Sequence, residues 1–256
     1  MRGVLHMSAT TSTSYARTAP VEALAEHIEH FWSVEWDLRG QPDLEPQTLP
    51  HPSVHVIIEG GKHEVSGVFT RRFVRALTGR GWVFGIKFRP AMFEALLGAP
   101  VSTLANRTVP LAEVFGPEGV TFARALAKGE RISLTEAFFL PRLRQVDPDA
   151  RRVRDVVERA AVDRSLLKVE QLASLAGVTV RTLERQFRRY VGVRPKWVLQ
   201  RYRLHEAHER LKAEPHLELA DLAAELGYVD QPHFVRDFKA LVGVTPGAYA
   251  RAVLGT

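Results

Sequence analysis

Apolar positions in the C-terminal half recur at helical spacing, and they do so twice in the same order. In the first copy Leu172, Leu175 and Ala176 share one face of a short helix, and Gly177 follows where a left-handed turn residue is needed. Thr179 is suited to cap a second helix whose apolar face is Leu183, Phe187 and Tyr190. The second copy runs Leu222-Ala223-Ala224-Glu225-Leu226-Gly227-Tyr228, then Asp230 as cap, Pro232 in the first turn, and Phe234, Phe238 and Leu241 facing the core. The glycines are offset by 50 positions, whereas Phe187/Phe238 and Pro195/Pro246 are offset by 51, so the second turn holds one extra residue. Each copy predicts a helix-turn-helix, and the two form a pair rather than a solenoid array.

The N-terminal half follows a different period. Residues 1–19 are rich in Ser, Thr and Ala and are expected to be a disordered tail; Pro20–Glu29 reads as a short helix or helical turn. Alternation predicts strands at Phe31–Leu38, Ser53–Glu59, Glu64–Phe69, Phe73–Leu77 and Val83–Phe88. Helical patterns follow at Ala91–Leu97, Leu111–Phe115, Val120–Ala127 and Leu134–Leu143. The fold class is therefore an α+β N-terminal domain, a small β-rich unit followed by helices, over 20–143. An all-α domain follows over 144–256, with Pro141–Pro148 as linker and Asp147-Pro148 opening a helix at Ala150–Ala161.

The polar faces of the paired helices carry the candidate chemistry. Arg181, Glu184, Arg185 and Arg188 stand at i, i+3, i+4 and i+7; His233, Arg236 and Asp237 face outward in the second copy. One apolar anchor face and one face of hydrogen-bonding side chains near the N-terminus is what a helix needs to read the major groove. A solvated charged face is the ordinary alternative. Repetition of the turn glycine and of one arginine (Arg185, Arg236) favours the groove. Charge agrees: from Arg151 onward 19 Lys+Arg face 13 Asp+Glu, while residues 1–150 hold 16 of each, so the whole net charge of +6 lies with the repeats.

Residues 154–251 resemble the DNA-binding domain of the AraC/XylS family of bacterial transcription regulators. The most specific match is Leu222-Ala223-x-x-Leu226-Gly227-Tyr228, Phe234, Arg236-x-Phe238-Lys239, Gly243 and Pro246-x-x-Tyr249. The resemblance implies two helix-turn-helix units joined by a long helix. Pro195–Lys212 suits that role, with Trp197, Val198, Tyr202, Leu204, Ala207 and Leu211 as apolar positions. It implies base reading by Arg181, Glu184 and Arg185 in the first unit and by Gln231, His233 and Arg236 in the second. Glu184 either accepts from cytosine or orients Arg181 or Arg185. Thr179, Arg188, Arg189, Lys196 and Lys239 are phosphate candidates. The implied partner is double-stranded DNA, read in two successive major grooves about 34 Å apart. RNA polymerase, a small-molecule effector and a second copy of the chain are further candidates.

The N-terminal half resembles sensor or dimerisation domains of some AraC-type regulators through His30-Phe31-Trp32, Leu49-Pro50-His51-Pro52-Ser53-Val54-His55, Gly85-x-Lys87-Phe88-Arg89-Pro90 and Pro110-Leu111-x-x-Val114-Phe115-Gly116. Trp32, Trp36, Trp82, Phe84 and Phe88 are candidates to line a ligand pocket, with a plain sheet core as the alternative. His51 and His55 lie four apart near His27, His30 and His63, but Pro50 and Pro52 flank His51; a strand entry with an exposed histidine is expected and no metal site. Arg71, Arg72 and Arg75 read as strand charges. The chain has no cysteine, hence no disulfides, thiolate metal sites or cysteine chemistry. No nucleotide loop or hydrolase signature occurs, so no enzyme activity and no cofactor are expected. Met1–Met7 lacks the apolar core of a signal peptide, no run is long enough to span a membrane, and a cytoplasmic location is expected. Two other readings stay open: an N-terminal domain that binds only a protein partner, and a cupin-like enzyme carrying a DNA-binding domain.

Overall fold

The computed structural model describes residues 4–6, 13–71, 73–74, 76–127 and 129–254. Its N-terminal unit contains β1 (Val4–His6), β2 (Thr13–Thr18), β3 (Ile28–Asp37), β4 (Gln47–Thr48), β5 (His55–Glu59), β6 (Lys62–Ser66), β7 (Phe73–Val74) and β8 (Arg80–Phe88). The short helix α1 (Glu94–Leu97) and strand β9 (Thr108–Pro110) follow. Six strands pair antiparallel in the order β2-β3-β8-β5-β6-β9; β1, β4 and β7 make a three-stranded sheet.

Three sequence expectations change here. Thr13–Thr18, placed in the disordered tail, is an edge strand paired along β3 from Thr13↔Trp36 to Thr18↔Phe31. Its side chains are mostly exposed, so no apolar alternation marks it. The short helix or helical turn expected at Pro20–Glu29 is a single 3-10 turn, Glu22–Leu24, shorter than expected because Ile28 already belongs to β3. β7 is Phe73–Val74, with Leu77 forming an isolated bridge to Leu44. Arg71 lies in a bend, while Arg72 and Arg75 fall outside the described residues.

Alternation in β8 divides its side chains between two faces. Phe84, Ile86 and Phe88 join Phe31 in a core under the helices that also takes Phe93, Phe122, Phe138 and Phe139, with Trp82 packed at its rim. Val83 turns the other way, to a cluster with Val34, Trp36, Leu38 and Leu77, against which Trp32 packs. The five aromatics proposed as one pocket lining therefore do not share a pocket. Pleating sends Phe84, Phe88 and Trp82 to one face and Trp32 and Trp36 to the other. The two tryptophans lie across glycines on β8, in the registers Trp32↔Gly85 and Trp36↔Gly81. A Cβ on Gly85 would stand 2.0 Å from the Trp32 ring, and one on Gly81 2.4 Å from Trp36. Each indole takes the space a side chain would need, and each ring covers backbone that glycine leaves bare.

Helix α2 (Leu111–Leu126) joins the two helices expected at 111–115 and 120–127 and breaks between them at Gly116 (φ 59°), ahead of Pro117. After α3 (Arg131–Phe139) and a 3-10 turn the chain enters α4 (Pro148–Val162). Then come α5 (Val169–Ala176), α6 (Val180–Gln186) with a π-helical turn at Phe187–Val191, and α7 (Pro195–Ala213). The chain continues through α8 (Leu219–Glu225), α9 (Gln231–Val242) and α10 (Pro246–Leu254). Two cores lie along α7. Val198 and Leu199 belong to the first, with α4, α5 and α6; Leu204, Ala207 and Leu211 belong to the second, with α8, α9 and α10. The N-terminal unit contributes to both: Val68, Ala91 and Met92 to the first and Leu49 to the second.

Candidate nucleic-acid interface

The repeat extends to individual hydrogen bonds. Gly177 takes φ +65°, its N–H donates to Ser174 O, and Val178 N–H donates to Ala173 O at 3.0 Å. Gly227 takes φ +72°, its N–H donates to Ala224 O, and Tyr228 N–H donates to Ala223 O at 2.9 Å. Both first helices thus close with the same left-handed turn, which satisfies their last carbonyls. Both second helices then start on a side-chain cap. Thr179 Oγ1 accepts from Thr182 N at 3.2 Å, and Asp230 Oδ1 accepts from His233 N at 2.7 Å. Leu183, Phe187, Phe234 and Phe238 are fully buried and fix which faces of α6 and α9 remain outside.

On α6 that outer face carries Arg181, Glu184 and Arg185, with Arg188 in the π-helical turn; all four are exposed. Among the described residues none of the four side chains makes an ion pair, so Glu184 does not hold Arg181 or Arg185 in place. On α9, Gln231, Arg236 and Lys239 are exposed. His233 is half-buried; its ring sits edge-on to Tyr228, and Nε2 lies 3.5 Å from Asp237 Oδ2. Lys196 is exposed at the start of α7.

Three residues have neighbours in the folded chain that the local sequence does not show. Arg189 has a protein partner: its Nε donates to Glu94 Oε1 at 2.9 Å, across to the N-terminal unit. The Thr179 hydroxyl is occupied as a cap and lies 3.1 Å from Thr182 Oγ1. Leu175, placed on the apolar face of α5, is 50% exposed, while Leu172 and Ala176 are buried in the core with α4.

Sequence reasoning missed how closely the N-terminal unit holds this domain. Where the linker enters α4, within the helical domain, Tyr190 O–H donates to Asp147 Oδ2 at 2.6 Å, and the same carboxylate caps α4 through Asp149 N. That bond holds Asp147 below the usual carboxylate range, while burial and Asp147 together raise Tyr190. Glu26 pairs with Arg151 at 2.8 Å, and Arg89 with Glu158 at 2.8 Å. Arg201 Nε donates to Pro50 O at 2.6 Å, and the His51 ring sits edge-on to His205, centroids 4.7 Å apart. His51 is thus half-buried against α7, where an exposed histidine was expected. The partners stand up to 151 positions apart, beyond any local pattern. One signal existed: the segments Leu49-Pro50-His51 and Lys87-Phe88-Arg89, singled out in the sequence, both lie at this junction.

Comparison with known proteins gives two family matches. The profile described as a helix-turn-helix domain covers residues 172–252, and one described as a domain of unknown function (DUF6597) covers 16–110. An uncharacterized HTH-type transcriptional regulator of Haemophilus influenzae is 34% identical over 85 residues, 33% of this chain and 28% of that protein. The transcriptional activator NphR of a Rhodococcus species is 27% identical over 158 residues, 61% of this chain and 45% of that one. The chain thus spans less than half the length of either relative. Among solved structures, a Chromobacterium violaceum transcriptional regulator described as AraC-type aligns at 22% identity with a TM-score of 0.36, covering 40% of this chain and 91% of that one.

Proposed function

Because residues 172–252 form a helix-turn-helix domain of the AraC type, we propose that the chain is a transcription regulator that binds double-stranded DNA sequence-specifically, with α6 and α9 in two successive major grooves. One observation carries the reading. The same turn and cap geometry, built twice, presents two helices whose outward arginines Arg181, Arg185 and Arg236 have no protein partner among the described residues. A guanidinium so placed offers two parallel donors to guanine O6 and N7. Glu184 is left to accept from a cytosine amine, and Gln231 and His233 read beside Arg236. Arg188, Lys196 and Lys239 take phosphates.

The name of the Rhodococcus relative favours activation over repression, with RNA polymerase as the second partner. The N-terminal unit acts on the reading helices through the junction, as a sensor or by pairing two copies of the chain. The test is capture of genomic fragments by the purified full chain across a range of salt concentrations. A shared motif with half-sites about 10–10.5 base pairs apart is the expected result. Retention that falls with salt and shows no motif would refute sequence-specific reading.

A further inference from the structure

Arg201 is a cation in an unusual place. It lies inside α7 at 3% exposure, facing the N-terminal unit rather than solvent. Its Nε is used by Pro50 O, its guanidinium lies 5.5 Å from the Trp197 ring, and its Nη2 is buried with no hydrogen-bond partner. No carboxylate offsets its burial, which draws it down to about 9. One helical turn on, His205 Nε2 is also buried and unmatched.

The surroundings do not supply the missing anion. Lys87 is buried on the facing strand β8, and its charge reaches both His51 and His205. Its own partner Glu29, 2.9 Å away, is shared with His30 at 3.3 Å. His55 stands opposite Lys87 on β5, and its Nδ1 accepts from Trp32 Nε1. The cluster thus holds two buried cations and one carboxylate, already spent on one of them. A buried charge left without a counter-charge costs several kcal/mol, and a buried donor without an acceptor adds to that. Such an arrangement is stable when something anionic completes it.

We propose that the junction between the N-terminal unit and α7 is a binding site for a small oxyanion, a carboxylate or phosphate group. Arg201 Nη2 is the charged donor. The site differs from the aromatic pocket first considered, because it lies between the two units. It also touches the helix that runs from one reading unit to the other. An anion there bridges the N-terminal unit to α7 and stabilises the docked arrangement. That consequence for DNA rests on the proposed function; the site itself does not.

The test is thermal unfolding of the full chain in sodium acetate or sodium phosphate, against sodium chloride at matched ionic strength, for the native protein and Arg201→Met. Bound anion raises the midpoint with a concentration dependence that saturates the site. Phosphate stabilises many proteins by exclusion, so only the increment that Arg201→Met abolishes counts. The variant is also expected to unfold at a higher midpoint than the native chain in chloride alone, since it no longer buries an unmatched cation. Equal anion responses in both proteins, or none in either, would overturn the proposal. Should Arg201→Met fail to fold, Arg201→Gln takes its place: anion affinity weakened about tenfold supports the site, and unchanged affinity refutes it. DNA binding does not enter the readout, so failure here leaves the regulator reading standing, and the reverse holds too.

Discussion

Arg185 and Arg189 are four residues apart on one exposed stretch, yet the fold gives them different work. Arg185 projects from α6 without a partner, whereas Arg189 is clasped by Glu94. Arg185→Ala is expected to lower affinity for the specific site by about 1–3 kcal/mol and leave the unfolding midpoint unchanged. Competition binding measures it, and an unaltered preference in a folded variant would remove Arg185 from the reading set. Arg188→Ala should instead weaken all sequences alike and reduce the slope of log affinity against log salt by about one, while Arg189→Ala leaves that slope alone. Equal slopes for the two variants would return Arg189 to the phosphate contacts. Histidines set the response to acid. Burial holds His55 and His205 at about 3, against an ordinary 6.5. Between those values the unfolded chain binds more protons than the folded one, so stability falls as pH drops below about 6.5, by ~1.4 kcal/mol per pH unit for each ring. Burial raises Glu29, but His30 and Lys87 outweigh it and bring it to about 2, so its contribution is lost only below 4.5. Denaturant titrations between pH 7 and 5 therefore isolate the histidines; constant stability over that window would contradict their neutral burial.

At the scale of elements, the clearest dependence is that of strand β8 on its glycines. Gly85→Ala forces a methyl into the Trp32 ring, and the indole has to leave the sheet. A loss of about 1–3 kcal/mol is expected, together with a red shift in tryptophan emission. A variant with native stability and native emission would show that the ring was never packed there. Local rules made the paired helices legible: a left-handed glycine, a capping Thr or Asp and apolar residues at i and i+4 all act within one turn of chain. The same rules gave the main strands to within a few residues. They failed where the neighbour decides. Thr13–Thr18 is a strand because β3 offers it an edge, not because its side chains alternate. Leu175 is half exposed although it shares the apolar face of α5, which the period of α5 does not reveal. Arg201 carries no local mark of burial; the fold brings Pro50 to it from 151 positions away.

At the scale of the whole molecule, the two units are joined by more than a linker. Ion pairs from Glu26, Arg89 and Glu94 reach α4 and the π-helical turn after α6, and the Leu49-Pro50-His51 segment lies on α7. Leu49, Val68, Ala91 and Met92 complete cores otherwise built from the helical half. That construction limits how the chain can be recombined. Joining residues 144–256 to a foreign N-terminal unit would uncover the sockets those four side chains fill, inviting aggregation in a chimaera whose helix-turn-helix units are intact. A working graft has to bring its own plugs or replace the sockets with polar residues. Lineages that swap such halves would be expected to exchange the junction as one piece with the helices it covers.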